Sequence, residues 1–299
     1  PSAAAILAGR LATGFFLAGI YPVGMKIASD WHQEGLGRAM GYLVGALVLG
    51  TAFPHLLKYL GSAYPWRFVF IGTSLLSASG GLLLFFTVPD GPHRVASTGA
   101  RFDAGALRRL FSRKDFRAAS FSYFGHMWEL YTFWAMVPLL LSYFWEQSSL
   151  TTSFSVPLWS FLIIAIGALG CVLGGYASLS RGSKQVSVIA LAGSGLACLW
   201  IGLSFPTSPW LFFALMLLWG LLVIPDSPQL STLVAHSAPG NLVATGLTIA
   251  NSIGFALTII SIQWVSYLWT RSSSPQVLLI MAAGPLLGLL VLRNYRSSS

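Results

Sequence analysis

Four ionisable side chains lie inside long apolar segments of this sequence: Arg10, His126, Glu129 and Asp226. A charge at the centre of a lipid bilayer costs about 2.5 to 3.5 kcal/mol on insertion scales, so an ionisable residue there suggests a functional site. His126 and Glu129 are three residues apart and share a helix face, where the imidazole can modulate how readily the carboxyl takes a proton. We therefore predict proton binding at Glu129, modulated by His126, with Arg10 as a counter-ion or as the anchor for an anionic solute.

Two aromatic residues extend this site. Tyr131 and Trp134 follow Glu129 on roughly the same side of the predicted helix, and we expect them to wall a cavity there. A structural alternative stays open, in which Arg10 and one carboxyl form an ion pair that only holds one conformation. The two interpretations differ in whether Arg10 touches a solute.

The segment Pro225-Asp226-Ser227-Pro228-Gln229 interrupts another apolar run. Two prolines three residues apart remove backbone donors and free carbonyls, which is tolerated at membrane depth only where protein groups or a water-filled cavity satisfy them. The segment is therefore either a break in a membrane helix or the cytoplasmic end of a span, with Asp226 capping a following short helix. Asp226 and Gln229 share a face in both cases.

The composition places these residues in a membrane. Of 299 residues, 55% are hydrophobic and 8% are charged, whereas soluble domains carry about 25% charged residues. The net charge of +9 comes from Lys and Arg between apolar segments, so no nucleic-acid partner is expected. Cys171 and Cys198 lie inside apolar segments as small hydrophobes, and no disulfide, metal site or cofactor is predicted. A phosphate-binding G-x-x-x-x-G-K-[ST] loop is absent from the sequence, which argues against ATP use.

Nine apolar segments have the length of membrane-spanning helices. They cover 4–25, 38–58, 67–87, 118–144, 156–177, 186–204, 209–233, 243–269 and 276–292. Most Lys and Arg residues lie at one end of these spans, which the positive-inside rule assigns to the cytoplasm together with the C-terminus. The predicted fold is an all-α polytopic membrane protein, expected in the inner membrane of a bacterium.

A basic connection at 88–117 divides the chain and is predicted to be a cytoplasmic loop that contains a short amphipathic helix. Three spans precede it, in 1–87, and six follow it, in 118–299. We expect this 3+6 division from a protein with two six-helix halves that lacks its first three helices. A short similarity between 39–45 and 244–250 supports an internal repeat.

Several motifs resemble those of the major facilitator superfamily. Arg10-Leu-Ala-Thr-Gly14 resembles the R-x-x-x-G pattern of family helix four, and Gly37-Arg38-Ala39-Met40-Gly41 resembles the start of helix five. The stretch from Gly175 to Lys184 resembles the G-x-x-x-D-R-x-G-R-K loop in its copy between helices eight and nine, although Leu179 replaces the Asp. The resemblance covers all nine spans and assigns them to family helices four to twelve.

This resemblance implies a transporter of the family's twelve-helix type, in which two halves rock about a cavity lined by helices one, four, seven and ten. Arg10, His126, Glu129 and Asp226 then all lie on cavity helices. Further residues are expected to serve the conformational change rather than solute binding: Gly14, Arg38, Gly41, Gly45, Gly175, Arg181, Gly182, Lys184, Pro225 and Pro228.

The sequence thus predicts a secondary transporter that moves a small polar solute, anionic if Arg10 binds it, by proton-linked symport or antiport. The protein is expected to be a monomer when full length and not an enzyme. One alternative is an integral-membrane enzyme with His126 and Glu129 as acid and base, although the candidate groups are at mid-depth and spread over three helices. Another is a receptor or scaffold that keeps the fold without transporting.

Overall fold

The computed structural model describes residues 2–61, 66–94, 105–148 and 154–296, and the regular elements in these ranges are all helical. The first three helices precede the basic connection, α4 lies within it, and the remaining helices extend from its end to the C-terminal region. Their bounds are α1 Ala3–Trp31, α2 Leu36–Leu60, α3 Trp66–Thr87, α4 Ala106–Ser112, α5 Lys114–Gln147, α6 Val156–Leu203, α7 Pro209–Leu222, α8 Asp226–Ser237, α9 Val243–Ser272 and α10 Ala283–Leu292. A 3-10 turn at Pro275–Ile280 leads into α10.

Helix α6 is a hairpin of two helical arms rather than one straight rod. Its chain reverses at Gly182, whose φ of 77° is open to glycine but strained for other residues. A Cβ placed on Gly174 would lie 3.4 Å from Cγ1 of Val186, twelve positions later in the sequence. Two residues that far apart in a straight helix would be separated by about 18 Å. The predicted spans 156–177 and 186–204 are these two arms.

Seven helical stretches among the described residues are long and apolar enough to cross a membrane. They are Ala3–Trp31, Leu36–Leu60, Phe70–Thr87, Val156–Leu203, Pro209–Ser237, Gly240–Ser272 and Pro275–Leu292. The α6 stretch contains two predicted spans, and the remaining predicted span is the 34-residue helix α5. Polar and aromatic side chains lower the mean hydropathy of α5, which is why it is not among the seven stretches. All nine predicted spans therefore correspond to helical segments.

The basic connection folds differently from the prediction. Its described part contains the short helix α4, and Arg113 then separates α4 from α5, which begins at Lys114 rather than at 118. The cations from Arg108 to Arg117, which were predicted to lie on one short helix, are therefore divided between α4 and the first turn of α5. Residues 95–104, including Arg101, lie outside the described ranges.

Helix α5 is the central helix of the packed region. Buried residues of its first half pack with α8, α9 and α10, and those of its second half pack with both arms of α6 and with α7. Polar contacts also fasten it, since Thr132 Oγ1 lies 2.8 Å from Ser261 Oγ on α9 and Ser122 Oγ donates to Gly288 O on α10 at 2.8 Å. The polar face of α5 is therefore held in a fixed orientation.

The first three helices are packed unequally. Helix α2 buries one face, including Gly41 and Gly45, whereas the first part of α1 and the described side chains of α3 are almost all exposed. The close contact of α2 with α6 rests on small residues. A Cβ on Gly41 would lie 2.6 Å from the carbonyl oxygen of Cys171, and one on Gly175 would lie 3.0 Å from Cα of Arg38. Glycine is needed at both positions for the two backbones to approach.

Candidate functional site

Three titratable side chains meet in the core of the helical bundle. His126 and Glu129 on α5 and Asp226 on α8 are each only 1% exposed. The Nδ1 atom of His126 lies 2.9 Å from Oδ1 of Asp226, and this contact forms an ion pair when the imidazole is protonated. His126 therefore pairs with Asp226, not with Glu129 as its position in the sequence suggests.

Glu129 is held by two donors from other helices. The indole N–H of Trp219 on α7 donates to Oε1 at 2.9 Å, and the Ser194 hydroxyl in the second arm of α6 donates to Oε2 at 2.8 Å. Loss of water favours the neutral acid and the two donated hydrogen bonds favour the carboxylate, so the charge of Glu129 responds to its surroundings.

The helix break predicted at Pro225 lies inside the bundle. Helix α7 ends at Leu222 and α8 begins at Asp226, while one apolar stretch continues through both to Ser237. The carbonyl oxygen of Ile224 accepts from the Ser227 N–H at 3.0 Å and contacts the Cys171 thiol at 3.8 Å. Because protein groups occupy the freed carbonyl and Asp226 is buried, the structure agrees with a broken membrane helix rather than with the end of a span.

Helix α5 contacts both halves of the broken helix. Glu129 binds Trp219 in α7, and one turn earlier His126 contacts Asp226 in α8. A change in charge at Glu129 therefore acts first on α7, and a change at the His126–Asp226 pair acts first on α8. The two contacts of α5 therefore lie on opposite sides of the break.

Asp226 is an acceptor without donors. Although Nδ1 of His126 is near, neither carboxylate oxygen of Asp226 receives a hydrogen bond from the described residues. Gln229 lies one turn later on α8 and is fully buried, with Nε2 donating to the carbonyl oxygen of Gly37 on α2 at 3.0 Å. Gln229 thus joins α8 to the first turn of α2 rather than completing the Asp226 site.

A second polar chain lies beside His126. The Tyr123 hydroxyl donates to Oδ1 of Asn251 on α9 at 2.7 Å, and Nδ2 of Asn251 donates to the Leu247 carbonyl oxygen at 2.8 Å. The Tyr123 ring is 5.8 Å from the His126 ring, centroid to centroid. Tyr123 and Asn251 therefore limit the positions that the imidazole can take.

Tyr131 and Trp134, which were predicted to wall a cavity beside Glu129, pack against each other on α5. Trp134 is buried and Tyr131 is half-buried, and their rings meet edge to face with centroids 4.9 Å apart. Tyr131 also contacts Phe255 on α9 at a centroid distance of 5.4 Å. Tyr131 thus joins Trp134 on α5 to Phe255 on α9, and the cavity beside them stays a prediction.

Arg10 does not join this cluster. Its side chain is exposed on α1, and it forms no ion pair with the described residues. A Cβ on Gly14, the partner of Arg10 in its motif, would meet no atom within 4 Å. The predicted ion pair of Arg10 with a carboxyl is therefore wrong for this structure, because Glu129 and Asp226 are buried among residues of α5 to α8.

The motif residues on the loops lie at the end of the bundle that holds the basic residues. Arg38 lies 5.9 Å from the centroid of the Tyr176 ring, and Arg181 is exposed at the α6 turn. Lys184 Nζ donates to the carbonyl oxygen of Tyr295 at 2.6 Å and so fixes the C-terminal segment to this turn. Burial raises the pKa of Tyr295 to about 12, with the Asp115 carboxylate adding to the effect, so its phenol is neutral when packed. These residues connect elements at that end of the bundle.

Sequence reasoning missed the two partners of Glu129. Trp219 had one usable signal. Tryptophan is enriched at membrane interfaces, whereas Trp219 lies in the middle of a span, seven residues before Asp226, which is an unusual position for it. Ser194 had none, since serine is common at contacts between membrane helices. Among the residues that the structure describes, no group of three or more His, Cys, Asp and Glu is arranged to hold a metal ion.

Comparison with known proteins agrees with this architecture. The sequence profile of the Major Facilitator Superfamily matches residues 1–262, a range that contains α1 to α8 and most of α9. No match was found among curated proteins. Members of this family are generally transporters of small molecules in lipid bilayers. With seven apolar helical stretches and a profile match over most of its length, the chain is an integral multi-pass membrane protein and belongs to the Major Facilitator Superfamily.

Proposed function

We propose that this protein is a proton-coupled secondary transporter of a small polar solute, with Glu129 as the proton-carrying group. The observation that carries the proposal is the hydrogen-bonded Glu129 carboxyl, 1% exposed, one helical turn from the His126–Asp226 contact. An ionised carboxyl is expensive to bury, and a proton is the smallest partner that can neutralise it. A gradient of protons can therefore act on this site.

The break between α7 and α8 supplies the conformational response. Ionised Glu129 attracts the Trp219 N–H and so holds α7 against α5, whereas the protonated acid holds it less strongly. Hydrogen bonds to charged groups contribute about 1.5 to 3 kcal/mol and neutral ones about 1 kcal/mol, and the difference changes the balance of two conformations by roughly 2- to 30-fold. Protonation can thus favour one angle at the break over another.

The solute is proposed to be small and polar and to move by symport or antiport with protons. An anionic solute was predicted on the basis of Arg10, which is exposed on α1. No Lys or Arg is buried among the described residues, so the anionic option has no partner charge in this cluster.

The orientation is proposed from the basic end of the bundle. Asp115 at the start of α5 accepts from the backbone N–H of Arg296, and Lys184 binds Tyr295, so three basic segments lie at one end. The positive-inside rule places this end, with the C-terminus, in the cytoplasm. We assign 1–87 to the N-terminal half of the transporter and 118–299 to its C-terminal half, and we propose a monomer in a bacterial inner membrane.

The test is Glu129→Gln, which keeps the shape of the side chain and removes its ability to ionise. Protein in proteoliposomes loaded with the pH indicator pyranine is given amino acids, amines, sugars and organic acids one at a time, with and without an imposed pH gradient. The wild type should show solute-dependent proton movement for the solute it carries. The Glu129→Gln variant should lose that proton movement.

The matched control is Glu146→Gln, which removes an exposed carboxyl from the same helix. This variant should behave like the wild type. If Glu129→Gln moves protons as well as Glu146→Gln does, Glu129 is not the coupling group.

A further inference from the structure

The two buried carboxyls, Glu129 and Asp226, differ in the hydrogen bonds that their oxygens accept. Both oxygens of Glu129 receive hydrogen bonds, from Trp219 and from Ser194. Both oxygens of Asp226 are buried, and neither receives one from the described residues. Buried polar atoms are nearly always hydrogen-bonded in proteins, so an unsatisfied carboxylate in the core needs a specific explanation. Glu129 is complete as a binding group, and Asp226 is not.

The missing partner of Asp226 must be a donor. The Asp226 carboxylate, when ionised, only accepts hydrogen bonds. It lies in the first turn of α8, where the helix dipole favours negative charge, and it contacts the imidazole of His126. A ligand for this group therefore carries N–H donors and a positive charge.

The protein does not supply that ligand from the described residues. Asp30, His126, Glu129 and Asp226 are the charged or chargeable groups buried there, and Asp30 is paired with Lys26. With His126 protonated, the two central carboxyls still leave one negative charge without a positive partner. One proton on Glu129 or one monovalent cation at Asp226 would neutralise the cluster.

The surroundings also suit a cation. The Cys171 thiol lies 3.8 Å from the carbonyl oxygen of Ile224, two residues before Asp226. The Tyr123 ring borders His126, and aromatic rings attract cations through their faces. The break at Pro225 places all of these groups where the backbone of the helix is already interrupted.

We infer that Asp226 is the binding site for the ammonium or guanidinium group of a cationic solute, which rests on the proposed transport function. Glu129 then carries the proton and Asp226 carries the solute. Each of the two positive charges weakens the binding of the other by electrostatic repulsion, and in an exchange cycle the cluster would hold one of them at a time.

The test compares guanidinium with urea as probes, because the two have the same planar shape and differ in charge. Both are added at millimolar concentrations to the purified protein in detergent, and the midpoint of thermal unfolding is followed. A ligand that binds the folded state raises this midpoint in proportion to its occupancy. Guanidinium and methylammonium should raise it, whereas urea and acetate should not.

The variants assign the effect to one residue. Asp226→Asn should weaken the apparent affinity for guanidinium by about 10- to 100-fold, the range expected for a charge-assisted hydrogen bond. Asp226→Glu keeps the charge and should retain the response, and Glu146→Gln should leave it unchanged. Glu129→Gln should also retain guanidinium binding, and its response should no longer weaken as the pH is lowered toward the range in which Glu129 takes a proton.

Two results would overturn the inference. One is a wild-type response to guanidinium no larger than the response to urea, a comparison that needs no variant to fold. The other is an undiminished response in Asp226→Asn, which would place any cation site elsewhere. Neither result bears on proton movement through Glu129, which is measured in proteoliposomes without guanidinium, so the two proposals can fail separately.

Discussion

Replacing Trp219 with phenylalanine isolates one hydrogen bond at the proposed coupling site. The substitution removes the indole N–H that lies 2.9 Å from Oε1 of Glu129 and keeps an aromatic ring near Phe133, whose ring centroid is 4.6 Å from that of Trp219. The loss matters most when Glu129 is ionised, because hydrogen bonds to charged groups contribute about 1.5 to 3 kcal/mol and neutral ones about 1 kcal/mol. The variant should therefore be destabilised more at high pH than at low pH.

The magnitude follows from that difference. The charged and neutral bonds differ by about 0.5 to 2 kcal/mol, and 1 kcal/mol corresponds to roughly 2 to 4 °C in the unfolding midpoint of a domain of 150 to 250 residues. The gap in unfolding midpoint between wild type and Trp219→Phe should widen by a few degrees as the pH is raised from about 5 to about 9. Thermal scans at one fixed rate measure this gap in detergent, without knowledge of the solute.

The control substitution is Trp200→Phe at an exposed position of the second arm of α6. Its gap from the wild type should stay constant with pH. If the Trp219→Phe gap is equally constant, the indole does not respond to the charge of Glu129, and the link between Glu129 and α7 must be abandoned.

Two further predictions concern the contact between α2 and the C-terminal part of the chain. Gly41→Ala should lower stability by about 1 to 3 kcal/mol in chemical unfolding, because the new Cβ would lie 2.6 Å from the carbonyl oxygen of Cys171. Gly50→Ala on the same helix meets nothing within 4 Å and should be nearly neutral. Gln229→Leu removes the hydrogen bond to the Gly37 carbonyl oxygen and should speed the alkylation of Cys171 by a membrane-permeant maleimide several-fold, since Cys171 lies under α2. An unchanged rate would mean that this bond does not keep α2 closed over α6.

The spans were predictable from the sequence because apolar length and turn residues alone define them. The helical segments follow the predicted spans even where two of them join at Gly182, because a glycine with positive φ permits the reversal that the prediction had read as a loop. The helix break was also visible, since Pro225 and Pro228 cannot supply backbone donors. The prediction left open only whether the break lay inside the bundle, and the burial of Asp226 answers that question.

The pairing of the charged groups was not predictable in the same way. Spacing along α5 puts His126 and Glu129 on one face, but it carries no information about which neighbouring helix each residue meets. The energy of a buried charge is decided by those neighbours, here Asp226 on α8 for His126 and Trp219 on α7 for Glu129. Arg10 shows the converse, because a place in an apolar run does not make a residue buried.

The position of these contacts has a consequence for how a gradient can do work in this fold. A proton that merely neutralised a rigid core would change its energy without moving it, because both conformations would gain equally. Helix α5 instead contacts the broken helix on both sides of the break. Its Glu129 binds Trp219 on α7, and its His126 contacts Asp226 on α8. A change in charge at one contact and not at the other alters the interaction of α5 with α7 and with α8 by different amounts. Only such a difference between conformations can shift their equilibrium. Under the proposed function, the break therefore allows the carboxyl of Glu129 on α5 and that of Asp226 on α8 to serve different ligands.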